Sequence, residues 1–101
     1  MARPIDNLPP VHPGEFLGDE LKALGTSARD FARHIGLSHH NNITDIIRGK
    51  RGISATMALR LGRAFGTTPE YWLNLQSIYE LKLAKAELPA DALKFESYAT
   101  A

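Results

Sequence analysis

The sequence has no cysteine, which excludes a disulfide framework and any thiolate metal site. No apolar run approaches the roughly 18 residues that cross a bilayer, so no membrane association is expected. The first ten residues, Met1 to Pro10, lack the apolar stretch of a secretory signal, and a cytoplasmic protein is the simplest expectation. Strand signals are poor as well. Valines are few, apolar and polar residues do not alternate, and no Asn-Gly turn occurs. There is no internal repeat and no low-complexity tract.

Catalytic and metal-binding patterns are equally thin. A hydrolase needs a nucleophile–base pair or paired carboxylates in a pocket, whereas Ser27, Ser38 and Ser54 stand where helix caps belong and read as caps. Glu15, Asp19 and Glu20 cluster on one predicted helix and read as a solvated face or a protein contact. His39 and His40 are adjacent, about 100° apart on a helix, so they cannot ligate one metal from one face. His34 suits a helix C-terminus, where positive charge is favoured. No enzymatic activity, metal or cofactor is expected.

What remains is an ordinary soluble mixture on 101 residues, 44% hydrophobic and 23% charged, enough for one modest core. The net charge of +1 hides an asymmetry. Residues 29–63 hold seven Lys or Arg against two acids, a local net of +5, whereas the rest holds five against nine, a net of −4. A basic middle on an acidic chain points to one polyanion-binding face.

Helix boundaries recur at short intervals. Pro4, Pro9 and Pro10, with Pro13 just after them, make the first dozen residues an extended arm, and Pro13 opens a helix carrying Phe16, Leu17, Leu21 and Leu24 on one face until Gly25. Ser27 caps a second helix with Phe31, Ala32 and Ile35, stopped by Gly36. A short turn, about Leu37 to His39, leads to a third helix that turns Ile43, Ile46 and Ile47 inward and ends at Gly49. Ser54 caps a fourth, with Met57, Ala58, Leu61 and Phe65 buried and Gly66 at its end. Thr68 and Pro69 open a fifth that runs through Trp72, Leu73, Leu75 and Ile78 to about Ala86. The expected fold is all-α, with an arm at 1–12, a helical domain at 13–88 and a tail or short helix at 89–101.

The segment Ser27 to Gly49 is the informative one. Two short helices joined by a tight turn form the helix-turn-helix unit. Ala32 permits a close crossing, Gly36 makes the turn and Leu37 plugs the space between the helices. With Ile43 and Ile46 holding the third helix inward, its polar residues project, and a projecting helix fits the major groove. Ser38, His39, His40, Asn41, Asn42 and Thr44 are the candidate base readers; asparagine can pair bidentately with adenine. Asp45 belongs off the groove or on a cytosine. Arg48, Lys50 and Arg51, with Ser27, are candidate phosphate contacts, and Gly49 and Gly52 let the backbone come near.

Several motifs together resemble one family. They are His12-Pro13-Gly14-Glu15, Phe31-Ala32 with Gly36, Gly49-Lys50-Arg51-Gly52-Ile53-Ser54, Ala58-Leu59-Arg60-Leu61, Phe65-Gly66-Thr67-Thr68-Pro69 and Tyr71-Trp72-Leu73-Asn74-Leu75-Gln76. Over about residues 12–83 the chain is similar to the HigA family of antitoxins, within the Xre-type, lambda-repressor-like helix-turn-helix superfamily. The resemblance implies a five-helix domain that dimerises and represses its own operon at a palindromic operator on double-stranded DNA. It also implies neutralisation of a HigB-like toxin, a small RelE-like ribonuclease that cuts mRNA. One departure stands out: Gly36 and Ile43 are one residue further apart than the family's usual spacing. Either the turn is longer or the recognition helix gains a residue at its start.

A homodimer is expected to use the fifth helix around Trp72, Leu75, Ile78 and Tyr79, although Trp72 at helical spacing also suits the core. Toxin contact falls to the arm, the first helix or the C-terminal segment. Two rival functions fit the same residues: a free-standing phage-type repressor without a toxin, and a protein-binding inhibitor that has lost DNA binding.

Overall fold

The computed structural model describes residues 8–99, so the expectations for residues 1–7 of the arm and for 100 and 101 lie outside the described residues. Five helices follow one another: α1 (Pro13–Leu24), α2 (Ala28–His34), α3 (Asn41–Ile47), α4 (Ala55–Phe65) and α5 (Pro69–Glu87). No strand occurs among the described residues.

The starts are capped by the residues that chemistry favours there. His12 Nδ1 accepts from the Gly14 N–H at 2.8 Å, with Pro13 in the first turn of α1. Ser27 Oγ accepts from Asp30 N–H, and Ser54 Oγ from Met57 N–H, each at 3.1 Å. Thr68 Oγ1 accepts from Tyr71 N–H at 3.2 Å. Such a cap is worth about 1 kcal/mol. α3 is the exception: its cap position, His40, makes no side-chain capping bond. A seven-residue helix without a cap is held by packing rather than by its own propensity.

That packing is the core. Leu17 and Leu21 of α1, Phe31 and Ala32 of α2, Ile43 and Ile46 of α3, Ile53, Met57, Ala58 and Leu61 around α4, and Trp72 of α5 are buried together. Each large side chain among them stabilises the fold by roughly 1.5–3 kcal/mol relative to exposure. α1 packs on α3 and α5, α2 on α3, and α4 on α5. The α1–α3 approach is very close: a Cβ on Gly14 would lie 1.7 Å from Ile46 O. Backbone therefore touches backbone there, and only glycine fits.

The inner face of α1 is narrower than its apolar residues suggest. Phe16 is 38% exposed and Leu24 62% exposed. Contact with α3 and α5 uses the stripe of Gly14, Leu17 and Leu21. Phe16 is about 100° round the helix from Leu17, beyond that contact.

Trp72 is 1% exposed, and the structure places it in the core of its own chain. Its ring lies 5.7 Å from that of Phe65, which stacks on Phe31 at 5.3 Å. The indole N–H donates to Thr67 Oγ1 at 3.1 Å. An indole so enclosed offers nothing to a partner subunit, which corrects its place among the expected dimer contacts. Of the others, Leu75 packs partly against the core, Tyr79 is half-buried against His12, and Ile78 is exposed.

The arm lies along α5. Lys82 Nζ donates to Leu8 O at 3.1 Å, and the His12 and Tyr79 rings meet edge-on at 4.9 Å. Beyond α5, a turn at residues 90–93 is closed by Ala92 N–H to Pro89 O at 3.0 Å. No further helix forms among the described tail residues, and Leu93, Phe95 and Tyr98 are exposed. No helix of the described residues is long and apolar enough to cross a membrane.

Candidate nucleic-acid interface

α3 is fixed from one side. Ile43 and Ile46 are fully buried, and Ile47 packs partly on the same core. The opposite stripe follows from helical spacing: Asn41, Thr44, Asp45 and Arg48 recur at i, i+3, i+4 and i+7. Asn41 and Arg48 are exposed, and Thr44 and Asp45 are half-exposed. The side chains of these four make no hydrogen bond or ion pair within the described chain.

The α2–α3 connection is longer than the expected Leu37–His39 turn. It runs from Ile35 to His40. Gly36 sits at φ +84°, where a Cβ would be strained, and the chain doubles back through Leu37 N–H to Ala32 O at 2.9 Å. The guanidinium of Arg60 donates to Ile35 O from α4 and pins the bend. The residues between Gly36 and Asn41 thus belong to the connection and not to α3. Ser38 and His39 precede α3, and His40 occupies its cap position.

The start of α3 separates two clefts. Asn42 lines one with Arg51, Ser54, Thr56 and Arg60. Ser38, His39 and His40 line the other, facing Arg29 and Arg33 of α2. Sequence reading missed the two arginines, although both lie in the basic segment and stand one helical turn apart. Neither has a carboxylate partner among the described residues.

After α3 the chain turns through Gly49 at φ +76°, with Lys50 N–H donating to Asp45 O at 2.8 Å. Arg48, Lys50 and Arg51 are exposed on this loop, without carboxylate partners. The loop is then tied down. Ile53 is buried, and its N–H donates to Gln76 Oε1 at 2.8 Å, while Gln76 Nε2 donates to Glu80 at 3.0 Å. Beneath the loop sits His12. Burial pushes its imidazole below its ordinary pKa, with the Arg51 backbone and the Glu15 carboxylate acting the other way. Ser27 is exposed, its hydroxyl already accepting the cap bond. No three metal-ligating side chains converge among the described residues.

The surface is thus a polar helix stripe between cationic flanks. Comparison with known proteins matches the Helix-turn-helix family over residues 17–72. A curated relative, virulence-associated protein I of Dichelobacter nodosus, is 43% identical over 81% of this chain and 76% of its own. A solved addiction module antidote protein of the HigA family from Coxiella burnetii is 43% identical, covers 93% of this chain and 99% of its own, and superposes with a TM-score of 0.78. Antitoxin HigA of Pseudomonas aeruginosa, solved with the higBA promoter, is also 43% identical, over 90% of this chain and 96% of its own, at a TM-score of 0.74. The chain therefore belongs to the Helix-turn-helix family, in the branch that contains the HigA antitoxins.

Proposed function

We propose that this protein is a cytoplasmic antitoxin-repressor: a dimer that occupies a palindromic operator in its own promoter and neutralises a HigB-like, mRNA-cleaving toxin. The observation that carries the DNA-binding half is the α3 stripe, polar, outward and unbonded, set on a buried isoleucine anchor. Asn41 and Thr44 read base edges, with His40 at the leading edge of the helix and Asn42 toward the α4 side. Lys50, Arg51, Arg48 and Ser27 hold phosphates and supply salt-dependent affinity without sequence preference. The toxin-binding half is supported by the likeness to an antidote protein of an addiction module.

Two protomers joined through α5, with Ile78 and Tyr79 near the contact, would set their α3 helices about 34 Å apart, in successive major grooves. Binding alone performs this function, and the reading assigns no catalytic group or cofactor.

Mobility shift on the protein's own promoter tests it, together with co-purification with the product of the adjacent reading frame. The expected results are a salt-sensitive, palindrome-dependent shift and a stable complex with a small basic protein. A shift without a toxin partner would leave a free-standing repressor; a toxin complex without a shift would leave a protein-binding inhibitor.

A further inference from the structure

We propose that His12 is a positioning residue for DNA binding: its imidazole bridges the start of α1 to the backbone of the loop after α3 and so presets Lys50 and Arg51 for phosphates. The inference rests on the DNA-binding reading and deepens it. Both ring nitrogens are engaged. Nδ1 accepts from the Gly14 N–H at 2.8 Å, so it is the unprotonated one. The proton therefore sits on Nε2, and a hydrogen bond joins the ring to the Arg51 backbone. That bond favours the charged imidazole, so the backbone partner is the accepting carbonyl. A Cβ on Gly49 would lie 3.8 Å from His12 Cγ and 3.9 Å from Cδ2, which sets the ring against the turn where the chain leaves α3. Tyr79 of α5 meets the ring edge-on at 4.9 Å. The far end of the loop is tied separately, by Ile53 N–H to Gln76. Between the two ties Lys50 and Arg51 are exposed.

Capping α1 does not by itself call for histidine. Ser27, Ser54 and Thr68 cap three other helices with a single oxygen, and asparagine caps as well. Histidine adds a second polar atom on the ring edge remote from Nδ1, and that atom reaches the loop. An untied loop must be ordered when DNA binds, and the cost appears as lost affinity. His12 removes that cost beforehand without touching DNA. The bridge also belongs to one protonation state. An imidazolium carries N–H on both nitrogens and would set a donor against the Gly14 N–H. Glu15 of α1 is the charged group acting on the ring, and Tyr79 is the titratable group that α5 sets against it. The loop contributes the Arg51 backbone, with the Lys50 and Arg51 side chains exposed. Burial favours the neutral ring, so the bridge is intact at neutral pH and opens in acid.

The test uses the full chain, its operator and an unrelated duplex of equal length, with binding measured well below each variant's melting temperature. Asparagine carries its polar atoms at the place of Nδ1, and glutamine at the place of Nε2. His12→Asn should keep the cap and melt close to the unaltered protein at neutral pH. It should bind both duplexes about threefold to tenfold more weakly, the loss of one hydrogen bond. The slope of log affinity against log salt should not change, because Lys50 and Arg51 still reach phosphates in the complex. His12→Gln should melt earlier and keep the affinity. The ratio of the unaltered to the His12→Asn affinity should fall toward one as pH drops from about 8 to about 5.5; taking the ratio cancels the titration of His34, His39 and His40. Equal affinities at neutral pH would overturn the bridge, as would a ratio that does not move with pH. A slope lowered by about one in His12→Asn would make His12 a direct phosphate contact and equally overturn it. Should His12→Asn fail to fold, His12→Gln decides: a loss of affinity of about threefold or more in the folded protein would overturn the bridge. In each of these cases a salt slope still lowered by Lys50→Ala would leave the DNA-binding reading standing. Binding to neither duplex by the unaltered chain would overturn both readings.

Discussion

The main-chain N–H of Ile53 donates to the side-chain oxygen of Gln76 at 2.8 Å, which joins the loop after the recognition helix to α5. The bond crosses 23 positions of sequence and couples the segment proposed to bind phosphate to the helix proposed to carry the dimer. Gln76→Ala leaves a partly buried N–H without its partner, a loss of about 1–3 kcal/mol. Urea denaturation should show that loss, and Gln76→Glu, which keeps the acceptor but sets a second carboxylate against Glu80, should recover only part of it. Equal stability of all three proteins would mean water replaces the side chain.

Gly14 provides a sterner test of the α1–α3 contact. Its missing Cβ would meet Ile46 O far inside van der Waals distance. Overpacking usually costs about 1–3 kcal/mol, and backbone cannot yield as a side-chain tip does. Gly14→Ala should therefore lower the melting temperature and, by shifting α3, weaken operator binding more than its stability loss explains. A variant that melts normally and binds normally would contradict the contact.

His12 makes stability depend on pH. Its Nδ1 must be unprotonated to accept from Gly14, and burial holds the folded imidazole below the ordinary value of 6.5. The unfolded chain therefore binds this proton more tightly than the folded one. Stability from His12 is complete above about pH 6.5 and is lost as pH falls toward the folded value. Thermal melts at descending pH should show the decline, and His12→Asn, which can still cap α1, should flatten it.

Base reading and phosphate holding separate in binding assays. Asn41→Ala should cost about 1–3 kcal/mol on the operator and little on unrelated DNA. Lys50→Ala should weaken both and lower the salt slope by about one. A reversed pattern would exchange the two roles.

Trp72 and Ile78 should behave differently although they lie on one helix. Trp72→Ala empties the core and should destabilise the protomer by about 3–5 kcal/mol. Ile78→Asp alters an exposed position, so the fold should persist while sedimentation reports dissociation to monomers. An Ile78→Asp protein that remains dimeric would move the interface elsewhere.

The helices were legible because their ends are written in caps and breakers: Ser27, Ser54 and Thr68 at starts, Gly25 and Gly66 at ends. The core isoleucines of α3 were legible from spacing and from the basic segment around them. Phe16 and Leu24 misled because apolar character does not say how wide a stripe the neighbours cover. Trp72 resisted assignment because a core position and an interface position share the same helical spacing, and only the placement of Phe65 and Thr67 separates them. The length of the α2–α3 turn stayed open in the sequence. It depends on Arg60, 25 positions from the carbonyl it holds, and no local pattern announces so distant a bond. Arg29 and Arg33 escaped notice because surface cations on a helix are ordinary until a cleft and two histidines are seen beside them.

The side chains of Asn41, Thr44, Asp45 and Arg48 contribute no hydrogen bond or ion pair to the described body that carries them. The letters of this stripe are consequently free to change while the anchors beneath stay constant. On the DNA-binding reading proposed above, such a scaffold can be re-addressed to another operator by a few substitutions without renegotiating its own folding.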